Sequence, residues 1–183
     1  MTARAEAATA TRERLLAAAW ERFSTRPYED VRLRDVAADA QCTVQTLHAS
    51  FGSKDELLSA AYMWWGLRGI SEREKAPVGR VKEAISILFD HYEADGTRVL
   101  RMLSQEERIE AIRRMTEAGR LYHRAWAERT FQPLLDGLDG RARERRLAGI
   151  VVATDLLAWK LLRLDMGLER REAERVVADM LRG

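Results

Sequence analysis

The sequence has few of the residues that mark several classes of protein. One cysteine, three prolines and eleven glycines among 183 residues exclude an internal disulfide and a collagen-like or disordered composition. The 31 basic and 29 acidic side chains nearly cancel, so the net charge of +2 gives no bulk signal for nucleic acid or membrane. Residues 1–10 lack the apolar segment of a secretion signal, and no apolar run reaches membrane-spanning length. These absences predict a soluble, cytoplasmic protein of one or two domains.

Helical periodicity is what the sequence has in abundance. Ala, Leu, Arg and Glu dominate, and apolar residues recur every three to four positions, which predicts an all-α fold of about nine helices. After a flexible tail at residues 1–10, a first helix carries an apolar stripe and ends before Pro27. Two short helices follow over about 33–40 and 44–50. Ser53 and Glu56 have the spacing of a capping box, and so open a fourth helix that continues to about Gly69.

The rest of the chain reads as longer helices. Asp95-Gly96 is expected to end a helix that begins near Pro77, and a short helix follows over 97–103. A second capping box at 104–107 is expected to open a helix that bends near Gly119 and stops around Gly137. The eighth helix is predicted over 141–166 and the ninth over about 169–182.

The two short helices form a motif that carries chemistry. Each is too short to be stable alone, and the tight turn at Gln41-Cys42 between them predicts a helix-turn-helix unit over about 32–51. In such a unit the second helix enters the major groove of DNA, where Gln45 has the geometry to pair with adenine. Phosphate contacts are expected from Arg32, Arg34 and Lys54. The predicted DNA-binding residues are Arg32, Arg34, Thr43, Val44, Gln45, Thr46, His48 and Lys54.

From about Thr11 to Leu58 the sequence resembles the TetR family of transcriptional repressors. The resemblance rests on the opening helix 12–23, on Tyr28 in the loop after it, on the segments 33–37 and 43–47, and most specifically on the string FGSKDELL at 51–58. It implies a DNA-binding domain at 11–54, with a regulatory and dimerisation domain at 55–183. It also implies a homodimer that binds a palindromic double-stranded DNA operator and responds to a small-molecule effector.

Three positions depart from the family pattern. Gln41 stands where the turn usually has Gly, His48 where an aromatic position is usually Tyr, and Ala49 where a basic residue is common. In the family the Tyr and the basic residue contact phosphate, so the resemblance implies weaker or different backbone contacts here. Charge agrees, because eight basic and seven acidic residues up to Lys54 predict a shallow salt dependence of DNA binding. Cys42 is expected to pack as a small apolar residue.

The second part of the chain carries a heavy load of aromatic and polar-tipped side chains. Core packing accounts for any one of them, but together they would suit a cavity for a small apolar or aromatic effector. Asp155 lies within an apolar run, where a charge needs a partner, a wet cavity or a proton. The candidate ligand-binding residues are Trp64, Trp65, His91, Tyr92, Tyr122, His123, Trp126, Asp155 and Trp159.

The last two predicted helices are candidates for the dimer interface. The eighth is apolar nearly all round, so it needs cover on two sides, and pairing it with the ninth across a two-fold axis gives a four-helix contact. The predicted interface residues are Leu147, Ile150, Val151, Leu157, Leu161, Val176, Val177 and Met180.

No constellation for catalysis or for a metal is expected. The sequence has no glycine-rich phosphate loop, no His-Glu-x-x-His and no cysteine pair, and its three histidines are dispersed. No cofactor and no enzyme activity are predicted. The alternative to a ligand-responsive regulator is a helical ligand carrier or scaffold without specific DNA binding.

Overall fold

A computed structural model describes residues 3–182, and within that range the chain is helical and contains no strand, which confirms the all-α prediction. The nine α-helices of this range are joined by short turns, among them 3-10 turns at Tyr28–Asp30 and Gln132–Leu134. The helices are α1 (Ala3–Thr25), α2 (Leu33–Asp39), α3 (Val44–Phe51), α4 (Lys54–Arg73), α5 (Val81–Leu103), α6 (Glu110–Thr130), α7 (Gly140–Ala153), α8 (Leu156–Lys160) and α9 (Arg170–Arg182).

The chain divides into two compact units. The first contains Met1–Arg68 and Arg101–Thr116, and the second contains Gly69–Leu100 and Glu117–Gly183. The predicted DNA-binding segment 11–54 lies within the first unit, which also takes in the beginning of α4 and the region where α5 ends and α6 begins. Apolar side chains from these helices, such as Leu57 and Ile112, are buried in the same core as α1 to α3. Because residues beyond 54 belong to the first unit, the two units do not coincide with the two predicted domains, and the predicted boundary at 54/55 stays a prediction.

Helix α1 is longer than the sequence predicts. Residues 3–10, predicted as part of a flexible tail, form the first turns of α1, and residues 1–2 lie outside the described residues. The segment is rich in Ala and contains no Gly or Pro, so nothing in it opposes helix formation. Farther along, Leu15, Ala19 and Phe23 are buried as one stripe, as amphipathic spacing requires.

Helix α5 does not stop at Asp95-Gly96 as predicted, but continues to Leu103. Gly96 serves packing instead: a Cβ at this position would lie 2.7 Å from Trp159 Cζ3, so the missing side chain leaves room for the indole. The predicted short helix at 97–103 is therefore the end of α5.

The second predicted capping box is also wrong. Residues 104–108 form turns, and α6 begins only at Glu110 and ends at Thr130. The cause is a tertiary contact, because the side chain of Gln105 is buried and its Oε1 accepts a hydrogen bond from Tyr28 N at 2.7 Å. A residue used in this way does not continue the exposed first turn of a helix.

The predicted eighth helix over 141–166 is broken into three pieces. Helix α7 ends at Ala153, Asp155 caps the short α8 by accepting a hydrogen bond from Leu157 N at 2.8 Å, and a π-helical turn follows over Leu161–Asp165. In that turn Met166 N donates to Leu161 O at 2.9 Å, a bond across five residues. Asp155 is therefore half-buried at a helix start, where capping gives it a structural role.

Candidate functional site

Helix α3 is held at both ends by local hydrogen bonds. At its start the Thr43 hydroxyl accepts from Thr46 N at 3.1 Å, and at its end Gly52 N donates to His48 O at 2.8 Å. On its inner side Leu47 and Phe51 are buried in the first core. The helix is thus fixed in place although it has only eight residues.

The turn between α2 and α3 contains a strained residue. Gln41 has φ of +54°, a left-handed conformation that Gly adopts freely and other residues adopt at a cost of about 1–2 kcal/mol. The turn is closed by Cys42 N, which donates to Ala37 O at 2.9 Å. The departure from Gly noted in the sequence therefore keeps the turn geometry and adds strain.

One face of α3 is open to solvent. Gln45, His48 and Ala49 are exposed and, at this spacing, share a side of the helix, while Val44 and Thr46 are half-buried beside them. The Thr46 hydroxyl lies 2.9 Å from the Thr43 hydroxyl, so both are engaged within the helix start. Among the predicted base-reading residues, Gln45 carries the side-chain amide, and this side chain is exposed.

His48 has one ring nitrogen occupied. Its Nδ1 lies 2.7 Å from the carbonyl oxygen of Gly52, an acceptor, so Nδ1 carries the proton and donates. In the neutral ring Nε2 is then an acceptor, and only the imidazolium can donate from Nε2 to a phosphate oxygen.

The predicted phosphate contacts differ in accessibility. Arg32 is exposed, and Arg34 is exposed with Nε 3.5 Å from Asp35 Oδ1. Lys54 Nζ instead donates to Tyr28 O at 2.5 Å and lies 4.1 Å from the centre of the Tyr28 ring, and burial lowers the pKa of its ammonium. The ammonium of Lys54 thus already has a partner within the chain.

Sequence reasoning missed a cation next to α3. The Arg12 guanidinium lies 4.4 Å over the Phe51 ring, and its Nη1 donates to Ser50 O at 3.3 Å. Arg12 is exposed, so its charge stands at the end of α3. The signal that could have found it is the resemblance itself, since Arg12 opens the motif helix.

The capping box after α3 is present as predicted. Ser53 N donates to Glu56 Oε2 at 2.8 Å, and Glu56 N donates to Ser53 Oγ at 3.2 Å. These hydrogen bonds to Ser53 lower the pKa of the Glu56 carboxyl. Gly52, with φ of +72°, joins the two helices, and a Cβ there would lie 2.5 Å from Glu56 Oε2.

The candidate ligand-binding residues fall in both units. Trp64 and Trp65 are half-buried against the first core, where Trp65 stacks on Trp20 with ring centres 4.2 Å apart. The other seven lie in the second unit, where Tyr92, His123, Trp126 and Trp159 are buried.

Protein groups satisfy the polar tips of these buried rings. Trp126 Nε1 donates to Arg73 O at 3.0 Å, Tyr92 Oη donates to Thr154 O at 2.9 Å, and Trp159 Nε1 lies 3.2 Å from Glu93 Oε1. The need for partners that motivated the predicted cavity is therefore met within the chain, and ligand binding by these residues stays a prediction.

An arginine that the sequence analysis did not single out lies among these rings. Arg73, in the last turn of α4, is 6% exposed; its Nη2 donates to His123 Nδ1 at 2.7 Å and its guanidinium lies 4.4 Å over Trp126. We call Arg73, Tyr92, His123, Trp126 and Thr154 the Arg73 cluster. No sequence signal pointed to Arg73, because it stands in the polar stretch SEREK.

Two histidines beside this arginine are held neutral. Burial, and then the charge of Arg73, lowers the pKa of His123 to about 4 and that of His91 to about 4. His123 Nε2 lies 3.2 Å from the Thr154 hydroxyl, which donates to Ile150 O at 2.7 Å. The donors run in one direction, from Arg73 through His123 to Thr154.

The predicted dimer residues divide by burial. Leu147, Ile150 and Val177 are buried in the chain's own core, and their part in a dimer interface stays a prediction. Val151 and Val176 are half-buried, whereas Leu157, Leu161 and Met180 are exposed by 58%, 53% and 50%. Val152, absent from the prediction, is 64% exposed.

The segment that contains these helices is similar to a known protein family. Residues 15–61 match the family model "Bacterial regulatory proteins, tetR family", and this segment contains α2, the turn and α3. The first unit is thus a helix-turn-helix DNA-binding fold of a transcriptional regulator. Over this segment the chain is similar to the TetR family, which supports the resemblance seen in the sequence.

Solved structures share the fold over nearly the whole chain. A transcriptional regulator from Rhodococcus sp. Rha1 is 16% identical, with a TM-score of 0.70 and 93% of each chain covered. A TetR transcription regulator from Haloarcula marismortui is 17% identical, with a TM-score of 0.67 and 94% of this chain and 96% of the other covered. At these identities the likeness shows the fold alone. No curated protein matches the sequence.

Residues 3–182 contain neither a membrane-spanning helix nor a metal-binding cluster. No helix in this range is both long and apolar enough to cross a membrane. Nor does this part of the chain bring three His, Cys, Asp or Glu side chains together in a way that could hold a metal ion.

Proposed function

We propose that this chain is a repressor that binds a palindromic DNA operator as a homodimer and releases it when a small-molecule effector binds the second unit. The observation that carries the DNA-binding part is the open face of α3, where Gln45 and His48 are exposed on a helix anchored by buried Leu47. A side-chain amide at this place can pair with adenine in the major groove. DNA as partner implies a cytoplasmic location, and the proposal includes no catalytic role.

Operator selection with the purified chain tests the DNA-binding part. From a random double-stranded pool we expect recovery of one palindromic sequence. Gln45→Ala should relax the preference at one base pair of each half-site by about 1–3 kcal/mol. Arg32→Ala should weaken binding to all sequences alike and lower the salt slope by about one. Recovery of random sequences would favour the alternative of a carrier or scaffold.

Restoring the family pattern gives a second, opposite test. His48→Tyr combined with Ala49→Lys supplies the phosphate contacts that the resemblance implies. We expect tighter binding to every sequence with the selected operator unchanged, since phosphate contacts carry no base information. A change of operator sequence would show that these positions face bases.

The dimer part of the proposal is supported by the exposed apolar side chains near the end of the chain. Leu157→Asp would place a charge among Leu161, Val152 and Met180, should these side chains form the contact. We expect this variant to be monomeric in light scattering while Leu121→Asp, at a residue 70% exposed on α6, stays dimeric. A monomeric wild-type chain would contradict the proposal.

A further inference from the structure

The second unit contains a buried cation, Arg73, that forms no ion pair with any residue of the range 3–182. Arg73 is 6% exposed, and among the described residues no carboxylate oxygen lies within ion-pair distance of its guanidinium. An arginine cannot lose its proton in a protein, so this charge stays. A buried charge without a counter-charge is strongly unfavourable.

Two other arginines of the second unit, Arg163 and Arg170, form ion pairs with carboxylates. Arg163 Nε lies 2.5 Å from Glu93 Oε1, and Arg170 Nη1 lies 2.7 Å from Asp90 Oδ1. Both of these guanidinium groups are more exposed than Arg73. In the part of the chain that the structure describes, these more exposed arginines thus have a carboxylate partner, whereas the buried Arg73 has none.

The partners of Arg73 do not satisfy all of its hydrogen-bond donors. His123 offers one lone pair at Nδ1, and Trp126 and Tyr122 offer ring faces at 4.4 and 5.1 Å from the guanidinium carbon. Arg73 Nε is buried and has no hydrogen-bond partner among the described residues. A guanidinium presents its donors as a fork that fits the two oxygens of a carboxylate, and the Nε arm of that fork is vacant.

The groups around Arg73 indicate the charge and the shape of an anion that would fit beside it. Beside Arg73 both His91 and His123 are neutral near pH 7, so the site carries one positive charge. Asp95 and Asp155 act on His91 and Tyr92 from farther away. One negative charge would balance the site, whereas a phosphate dianion would leave an excess. The neighbouring rings of Tyr92, Tyr122 and Trp126 suit an apolar or aromatic body.

We propose that the effector of this regulator is an organic monocarboxylate with an apolar or aromatic body, and that Arg73 binds its carboxylate through Nε and a terminal nitrogen. This inference rests on the proposed function, because it names the chemical class of the effector. Since Nε is enclosed in this structure, binding includes a shift of the Arg73 side chain or of the rings beside it. Because Arg73 lies in the last turn of α4, such a shift would transmit ligand binding to the backbone of that helix.

Thermal unfolding without DNA tests the inference. The probes are benzoate, phenylacetate, indole-3-acetate and octanoate, each compared with its uncharged amide at matched ionic strength. We expect at least one carboxylate to raise the Tm of the wild-type chain by about 5 °C near saturation, with no rise from its amide. If no carboxylate exceeds its amide, the inference is overturned.

Variants locate the effect at Arg73. Arg73→Gln should abolish the difference between carboxylate and amide, and Arg129→Gln, which removes an exposed arginine paired with Glu74, should keep it. Should Arg73→Gln not fold, Arg73→Lys retains the charge without the fork and should lower the carboxylate effect at least tenfold in apparent affinity. An unchanged effect in the Arg73 variants would contradict the assignment.

The same probes, added to an operator complex, separate this inference from the proposed function. Operator binding that no carboxylate weakens would overturn the effector assignment and leave the DNA-binding role intact. Carboxylates that stabilise a chain without operator specificity would support the site and overturn the regulator proposal.

Discussion

The region around α3 and the Arg73 cluster satisfy their polar groups in different ways. At the helix ends around α3 the capping partners are three residues apart, as in Thr43 with Thr46 and Ser53 with Glu56. In the Arg73 cluster they are 50 residues apart for Arg73 and His123 and 62 residues apart for Tyr92 and Thr154. The first arrangement depends on local sequence, and the second depends on four helices being in place.

This difference has a consequence for how each region responds to change. A local cap can be lost with only the helix end affected, because its neighbours keep their own bonds. In the Arg73 cluster each group orients the next, so that removal of one leaves others buried without partners. The helix ends around α3 should therefore tolerate substitution well, while the interior of the second unit should be sensitive to it.

The largest expected effect is in the Arg73 cluster. Trp126→Ala removes a side chain that is 1% exposed and leaves Arg73 O without its donor, so we expect unfolding to become easier by about 3–5 kcal/mol in urea titrations. Trp126→Phe retains most of the volume and should cost clearly less. A loss below about 1 kcal/mol for Trp126→Ala would show that the cluster is not a tightly packed interior.

The next largest expected effect is a loss of stability at low pH, which arises in the second unit. His123 has a pKa of about 4 in the folded chain, below its unfolded value of about 6.5. Between these values the unfolded chain binds more protons, so the free energy of unfolding falls as pH drops from about 6.5 to about 4, by about 3 kcal/mol for this residue. Chemical denaturation at a series of pH values measures the slope.

The matched variant for this prediction is His123→Asn, whose side-chain oxygen still accepts from Arg73 but does not titrate. We expect the slope to decrease, with the remainder due to His91, whose pKa is also about 4. The carboxyl of Glu93, whose pKa Arg163 lowers, loses its contribution at lower pH. An equal slope in the variant and the wild type would show that His123 is not held neutral.

A cap at α3 should have a smaller, local effect. Thr43→Ala removes the acceptor of Thr46 N and should destabilise the first unit by about 1 kcal/mol, because one amide at the helix start loses its partner. Thr43→Ser retains the hydroxyl and serves as control. Hydrogen exchange would locate the loss: faster exchange confined to α3 is expected, and faster exchange in the second unit would contradict the local character of this region.

The smallest effect is a gain. Gln41→Gly relieves a left-handed residue, and the added freedom of Gly in the unfolded chain offsets part of the gain, so we expect about 0.5–1 kcal/mol of stabilisation. Gln41→Ala, which keeps the strain, should give none. Denaturant midpoints measured side by side distinguish the two variants, and equal midpoints would mean that the turn is unstrained.

The same contrast explains what the sequence could predict. The capping box at Ser53–Glu56 and the stripe around Leu47 were predictable because a few adjacent residues determine each of them. The similar string at 104–107 gave a wrong helix start because Gln105 bonds to Tyr28, a partner 77 residues away. Local sequence predicts a helix end at Gly96 because nothing near it in sequence reveals the indole of Trp159, 63 positions later in the chain, which occupies the space beside it.

Burial of charge was the least predictable feature. Arg73 stands among Ser, Glu and Lys, a pattern typical of a solvated helix end, and only the packing of α6 side chains over it reveals otherwise. For the same reason the sequence alone does not show that Leu147 and Val177 are covered by the chain's own core, since periodicity identifies an apolar face without showing which part of the chain covers it.

The π-helical turn at Leu161–Asp165 has a consequence for insertions and deletions. Such a turn holds one residue more than the α-helical turn it replaces, and each residue of a helix rotates the following side chain by about 100°. Loss of one residue within the turn would restore α-helical geometry there and leave the direction of the helix before it unchanged. Within the helical segment 156–165 this turn is therefore a place where the chain can lose one residue without rotating the helix before it, and a one-residue gap in an alignment would fit there.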